Sequence, residues 1–106
     1  MYSFVVVDDE SIVREGIRDQ IDWESHGFRF AGAYEDGRQA WAAIEQYGPD
    51  VVLTDINMPF VNGLELAERM MKRHPKSKVI ILTGYYEFEY ARRAVKLKVN
   101  DFVLGT

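Results

Sequence analysis

The sequence contains no cysteine, which excludes disulfide bonds, thiolate catalysis and cysteine-ligated metal sites. It has no apolar run near the ~20 residues needed to span a membrane, and its start, Met1-Tyr2-Ser3, lacks the basic residues of a signal peptide. It also lacks a basic surplus, since a formal net charge of −4 gives no electrostatic attraction for nucleic acid. We therefore expect a cytoplasmic domain that binds neither nucleic acid nor membranes directly.

Apolar runs and amphipathic stripes alternate along the 106 residues, a length that fits one domain with a single core. Hydrophobic residues make up 47% and charged residues 28%, which excludes general disorder. The apolar runs predicted to be strands are residues 2–7, 28–34, 51–55, 79–82 and 101–104. Helical spacing of apolar residues predicts four helices, which start at Ser11, run from Ala40 to Tyr47, follow Gly63, and run from Phe88 to Val95.

This alternation of strand and helix, with short connections, predicts a parallel sheet with right-handed crossovers and helices on both faces. We therefore predict the α/β class with a doubly wound, five-stranded parallel sheet. The run that ends in Asp55 is the central strand, because an apolar run closed by a carboxylate is typical of a strand buried on both faces. Gly63, in the turn that follows, is expected to adopt a backbone angle that other residues resist. The alternative is that Asp55 only caps this turn.

Polar residues stand at the ends of three predicted strands: Asp8 and Asp9 after the first, Asp55 at the third, and Thr83 at the fourth. A doubly wound sheet brings these ends together at its topological switch point. Carboxylates this close repel each other, and a set of oxygen ligands without histidine or cysteine favours Mg²⁺. Such an ion would offset the charge of a phosphate that arrives beside Asp55, so that Asp55 could attack phosphorus. For Asp8 and Asp9 alone, the alternative is a pair that caps a helix N-terminus.

Four segments resemble the receiver domain of two-component response regulators: residues 7–10, residues 53–59 with Gly63, residues 81–84, and residues 100–104. Two further segments, residues 21–28 and 84–91, are similar to receivers fused to AraC-type DNA-binding domains. The resemblance is in register over the whole chain. It implies a flavodoxin-like fold with strand order 2-1-3-4-5.

The resemblance also implies a role for each acidic residue of the site. Asp55 would accept a phosphoryl group from a histidine of a sensor kinase, which makes the chain a phosphoacceptor signalling domain rather than an enzyme. Mg²⁺ would be bound directly by Asp9, directly or through water by Asp8, by the second oxygen of Asp55, and by the backbone carbonyl of Asn57.

The predicted switch consists of Thr83 and Phe102. In the family, the threonine hydroxyl turns to the phosphoryl oxygens and the aromatic ring rotates inward. This movement would be transmitted through helix 4 and strand 5 to an output domain, absent from this chain, that regulates transcription.

The end of the chain departs from the family pattern, because Gly105-Thr106 stands where receivers continue into a Lys-Pro pair and a fifth helix. We expect a receiver over residues 1–104 that lacks its fifth helix, with residues 105–106 as a possible cloning remnant. The other possibility is a receiver that naturally lacks the lysine. A missing helix would leave one face of the sheet open, and we expect a homodimer through that face.

Three other functions remain open. A pseudo-receiver would only bind protein partners. A phosphatase of the haloacid dehalogenase type would also form an aspartyl phosphate, but it needs an aspartate where this chain has Asn57. An FMN carrier would need a phosphate-binding first loop, and residues 8–10 would repel a phosphate.

Four conspicuous aromatic and histidine side chains are predicted to have no role in the site. Trp23 and Trp41 are expected to pack under loops or against the sheet. His26 and His74 stand beside Gly27 and Pro75 and are expected to be solvated turn residues.

Overall fold

The computed structural model describes residues 1–83 and 101–104 of the chain. The predicted fourth helix and Gly105-Thr106 lie outside the described residues. The strands are β1 (Tyr2–Val7), β2 (Phe28–Tyr34), β3 (Val51–Asp55), β4 (Lys78–Thr83) and β5 (Asp101–Leu104). The helices are α1 (Ser11–Gln20), α2 (Gly37–Tyr47) and α3 (Gly63–Arg73), and a short 3-10 turn, Glu24–His26, precedes β2.

The five strands form one parallel sheet in the order β2-β1-β3-β4-β5. This order confirms the predicted doubly wound α/β fold. Strands β1 and β3 lie inside the sheet, which explains why their sequences are nearly continuous apolar runs instead of alternating ones. Strand β4 is one residue longer at each end than the apolar run 79–82, because Lys78 and Thr83 also pair with neighbouring strands.

Side chains of the sheet alternate between two apolar clusters, one on each face. On the first face, Val5 and Val7 of β1 and Val52 of β3 are buried against helices α2 and α3, which contribute Ile44 and Leu66. The second face carries helix α1 and a cluster built on Phe4, Val6 and Leu53. The alternation places the helices on both sides of the sheet, as the strand order requires.

Aromatic residues fill the second face beside helix α1. The ring centroids of Phe4 and Trp23 are 4.4 Å apart, and the Trp23 indole donates a hydrogen bond to the Ile17 carbonyl oxygen over 2.6 Å. A groove of about 260 Å³ remains on this face between α1 and strands β3 and β4. The homodimer predicted from the sequence stays a prediction.

None of the helices in residues 1–83 has the length and apolar character of a membrane span.

Candidate functional site

The carboxyl ends of β1, β3 and β4 bring the predicted site residues to one edge of the sheet. Val7 pairs with Thr54, so Asp8, the next residue, lies at the level of Asp55 on the neighbouring strand. Asp55 in turn pairs with Leu82, which places Thr83 one residue beyond it on β4. The sheet register therefore brings three predicted site residues onto adjacent strand ends.

The turn after β1 is a compact acidic cluster. Carboxylate oxygens of Asp8, Asp9 and Glu10 all lie within 4.8 Å of one another. Asp8 is only 5% exposed, and its Oδ1 accepts a hydrogen bond from the Glu10 backbone N–H over 2.9 Å. Glu10 stands at the N-cap of α1, where no side chain makes a capping hydrogen bond. The alternative in which Asp8 and Asp9 cap this helix is therefore not what the structure contains.

The surroundings of Asp8 in this cluster change the pKa of its carboxyl in both directions, with a net rise. Burial raises the pKa of the Asp8 carboxyl above its ordinary value, and the nearby Asp9 and Glu10 carboxylates raise it as well. The hydrogen bond from Glu10 and the Arg14 guanidinium act in the opposite direction. A bound cation would relieve the same repulsion, and these three oxygen donors fit a hard ion such as Mg²⁺.

We assigned no role from the sequence to Glu10, a member of this cluster, or to Arg14, which contacts it. The sequence interpretation assigned Asp8, Asp9 and Asp55 as the converging carboxylates, whereas the group found within 4.8 Å has Glu10 as its third member. It also missed Arg14, whose Nη1 donates a hydrogen bond to the Asp8 backbone oxygen over 2.6 Å. Arg14 stands one helical turn after Glu10, a spacing that could have indicated a cation beside the acidic turn.

The loop after β3 holds Asp55 by backbone contacts. The Oδ1 atom of Asp55 accepts a hydrogen bond from the Ile56 N–H over 2.8 Å, and the Gly63 N–H donates to the Ile56 carbonyl oxygen over 2.8 Å. The buried Thr54 hydroxyl donates to the Asp55 carbonyl oxygen over 2.9 Å. Both ends of the loop are therefore tied to the end of β3.

The prediction that Gly63 adopts a backbone angle that other residues resist was wrong. The glycines with a positive φ among the described residues are Gly27 and Gly48, not Gly63. Gly63 lies so close to Asp55 that a Cβ there would overlap the Asp55 carbonyl oxygen. The glycine is required by this close approach, and not by its backbone angle.

The remaining predicted site residues are Asn57, Thr83 and Phe102. Asn57 lies in the loop after β3, two residues beyond Asp55. Thr83 ends β4, and Phe102 pairs with Ile81, two residues before Thr83. Their predicted roles as metal ligand and switch residues stay predictions.

The two histidines differ. His26 is exposed, as expected. His74 is only partly exposed, and its Nε2 lies 2.8 Å from Oε1 of Glu45, so the prediction of a solvated residue was wrong there. Trp41 packs against the α2 and α3 face of the core, beside His74, as its predicted structural role requires.

A protein-family model, described as the response regulator receiver domain, matches residues 4–104. The chain is 38% identical over 104 residues to YesN of Bacillus subtilis, described as an uncharacterised transcriptional regulatory protein. The matched region covers 98% of this chain and 28% of YesN. The chain is equally 38% identical to the transcriptional regulatory protein HptR of Staphylococcus aureus, of which it covers 40%. The chain thus spans less than half the length of these curated relatives.

Solved structures agree with this match. The chain is similar to the receiver domain of AraT, a response regulator from Geobacillus stearothermophilus, with a TM-score of 0.92 and 37% identity over 97% of this chain and 80% of that one. It is also similar to a two-component transcriptional regulator AraC from Clostridium phytofermentans, with a TM-score of 0.87 and 32% identity over 98% of this chain and 81% of the other.

Proposed function

Because this chain belongs to the response regulator receiver domain family, we propose that it is the phosphoacceptor domain of a two-component transcriptional regulator. Asp55 accepts the phosphoryl group. The observation that supports this most directly is the position of Asp55, at the carboxyl end of the central strand β3 and level with Asp8 of the acidic turn. The carboxyl ends of parallel strands at the switch point are where doubly wound sheets bind their ligands.

The proposed reaction is a transfer between two side chains. A carboxylate oxygen of Asp55 attacks the phosphorus of a phosphohistidine on the donor kinase. A new oxygen–phosphorus bond forms, the phosphorus–nitrogen bond breaks, and its electron pair stays on the imidazole nitrogen. The product is an acyl phosphate on Asp55. A rigid strand end suits this step, because in-line attack depends on the position of the attacking oxygen.

We assign Mg²⁺ as the cofactor of the transfer; Asp8, Asp9, Asp55 and the backbone carbonyl of Asn57 would hold it. When bound, the ion would offset the negative charge of the phosphoryl group. The close approach of carboxylate oxygens in the acidic turn and the buried position of Asp8 support this assignment. Glu10, which lies in the same group of oxygens, is a further candidate ligand, either directly or through water.

The partners we propose are a sensor histidine kinase as donor and an output domain in the longer protein. The names of the relatives as transcriptional regulators support an output that controls transcription. We propose that Thr83 and Phe102 form the switch that transmits phosphorylation to the output domain. They lie on the adjacent, hydrogen-bonded strands β4 and β5. A threonine that contacts the phosphoryl group can move the backbone of β4, and β5 is the strand paired with it.

The proposal is tested by incubating the chain with acetyl phosphate, with and without Mg²⁺, and measuring its intact mass. We expect the mass to rise by one phosphoryl group in the presence of Mg²⁺, and to stay unchanged when the metal is removed by a chelator. Asp55→Asn, which keeps the shape of the side chain, should abolish the adduct.

The matched control is Asp50→Asn, which changes an aspartate at the opposite end of β3, where Asp50 accepts a hydrogen bond from the Ser3 N–H over 2.8 Å. This variant should still be phosphorylated. If wild type never gains the adduct, the chain acts as a pseudo-receiver and the proposal fails. An adduct that persists in Asp55→Asn would place the reaction on another residue.

A further inference from the structure

The first turn of helix α2 lies directly against the loop that follows Asp55. A Cβ at Gly37 would overlap the backbone oxygen of Val61, so the helix backbone and the loop backbone are in close contact. The neighbouring residue, Arg38, places its guanidinium carbon 3.9 Å from the centre of the Phe60 ring. Two consecutive residues of α2 therefore contact two consecutive residues of the loop.

Phe60 has an unusual backbone for its residue type. Its φ is 69°, and no other non-glycine residue among those described has a positive φ. This left-handed region is disfavoured for bulky side chains, because the Cβ atom approaches the following carbonyl. The Phe60 side chain is also 66% exposed, so burial in the core does not maintain this conformation. Backbone strain of this kind persists only where surrounding contacts hold it, and it is concentrated at functional sites.

The Arg38 guanidinium lies over the Phe60 ring, where a cation–π contact can hold the ring in place. On the other side, the loop is tied to β3 by the Gly63 N–H, which donates to the Ile56 carbonyl oxygen over 2.8 Å. Between these two attachments, the Val61 N–H donates to the Pro59 carbonyl oxygen over 2.9 Å and the Val61 side chain is buried. The loop is therefore fixed at the sheet by its ends and at α2 by its middle.

We propose that Arg38 and Phe60 are positioning residues for phosphoryl transfer: their stacking holds residues 56–62 in the conformation in which Asp55 and the Asn57 carbonyl face the incoming group. For its effect on transfer, this inference rests on the function proposed above. Neither residue touches the reacting atoms in this account. They act through the backbone of the loop, which continues directly from Asp55.

The first test measures hydrogen exchange in the unphosphorylated chain and does not depend on phosphorylation. Arg38→Ala removes the guanidinium, and Phe60→Leu removes the aromatic ring but keeps a bulky residue for which a positive φ is disfavoured. Both should speed exchange of the Val61 and Gly63 amides about two- to fivefold, the factor that corresponds to an exposed cation–π contact. Phe60→Tyr keeps the ring and should exchange like wild type.

Arg69→Ala is the matched control. Its guanidinium also stands over an aromatic ring, that of Trp41 at 5.6 Å, and Trp41 packs beside His74 just after the end of α3. This variant should leave exchange of the Val61 and Gly63 amides unchanged. Wild-type exchange of these amides in Arg38→Ala would overturn the inference. An equal rise in the exchange rate of the Ala40 amide would also overturn the inference. This amide donates to the Asp36 carbonyl oxygen inside the first turn of α2, so its faster exchange would mean only that the helix frays.

The second test is the rate of acyl phosphate formation with acetyl phosphate at saturating Mg²⁺. Arg38→Ala and Phe60→Leu should be slower than wild type by about the same two- to fivefold, while Arg69→Ala and Phe60→Tyr should match it. A wild-type chain that takes up no phosphate would defeat the proposed function and leave the exchange result standing. A phosphorylated wild type with equal rates in Arg38→Ala would defeat this inference alone.

Discussion

Gly63, the first residue of helix α3, rests against the carbonyl oxygen of Asp55, the last residue of strand β3, without room for a Cβ between them. The helix thus begins on the strand end that carries the proposed phosphoacceptor. This contact closes the loop of residues 56–62 at its base. It links the stability of the fold to the geometry of the site.

We predict that Gly63→Ala lowers the free energy of unfolding by about 1–3 kcal/mol, the usual cost of forcing an extra group into a packed site. Gly16→Ala is the control, since a Cβ in that position of α1 meets only the flexible end of Gln20 at 4.0 Å. That change should instead stabilise the chain by roughly 0.5–1 kcal/mol, because alanine favours the helix. Urea unfolding of both variants measures the difference, and equal effects would contradict the packing argument.

The pattern of apolar runs was sufficient to predict the parallel sheet and the strand ends that carry the acids, whereas the strand order was implied by the resemblance to receiver domains. Buried strands of a parallel sheet are continuous apolar runs, so each of them is marked clearly, and the carboxylates that follow are visible as residues 8–10 and Asp55. Connections between strand and helix are short here, which leaves few topologies. The position of Asp55 beside Asp8 followed from these features.

Contacts between side chains distant in sequence could not be predicted in the same way. Nothing in the local pattern indicates that Arg38 stacks on Phe60, or that His74 reaches Glu45. Such contacts depend on how closely α2 lies to the loop and to α3. The error at Gly63 has the same origin, because a glycine needed for close approach looks in sequence like a glycine needed for its backbone angle.

The second prediction concerns the pH dependence of Asp8. Its pKa is raised in the folded chain by burial, so the folded state holds the proton more tightly than the unfolded state. The free energy of unfolding therefore falls as the pH rises from the ordinary carboxyl pKa through the folded pKa. Above the folded pKa, the full cost of keeping a charged Asp8 in the folded chain is present. Asp8→Asn removes the charge but keeps an oxygen that can accept the Glu10 N–H.

We expect the metal-free Asp8→Asn chain to be more stable than wild type at neutral pH, with a difference that shrinks as the pH is lowered through this range. Urea unfolding in a chelator, repeated at several pH values, measures it. A difference that stays constant with pH would show that the effect of the substitution does not come from ionisation of Asp8.

The third prediction has the opposite sign. The pKa of the Glu45 carboxyl is lowered by hydrogen bonds from His74 and Arg73, so its contribution to stability is present above the ordinary carboxyl pKa and is lost as the pH falls through the folded pKa. Glu45→Gln should destabilise the chain at neutral pH and have little effect in acid. Glu68→Gln is the control, since its contact with Lys72 is longer, at 3.8 Å. Equal losses in the two variants would contradict the assignment.

The fourth prediction distinguishes the two aspartates of the acidic turn. The Oδ1 atom of Asp8 already accepts a hydrogen bond from the Glu10 N–H, whereas the Asp9 side chain is exposed to solvent. We therefore expect Asp9→Ala to weaken Mg²⁺ binding on the order of tenfold or more, and Asp8→Ala to weaken it less. Tenfold is a lower bound for a ligand, because loss of a residue that only hydrogen-bonds a metal ligand already costs about that much affinity. Calorimetric titration measures both. Equal losses would mean that the two carboxylates bind the ion alike.

The central claim is that Asp55 carries the phosphoryl group, and its most direct test is chemical identification of the modified residue. After incubation with acetyl phosphate and Mg²⁺, borohydride reduces an aspartyl phosphate to homoserine, which peptide sequencing by mass spectrometry can locate. We predict homoserine at position 55 and unmodified aspartate at positions 8 and 9. Homoserine at either of those positions, or aspartate retained at position 55 in a chain that had gained the phosphate, would contradict it.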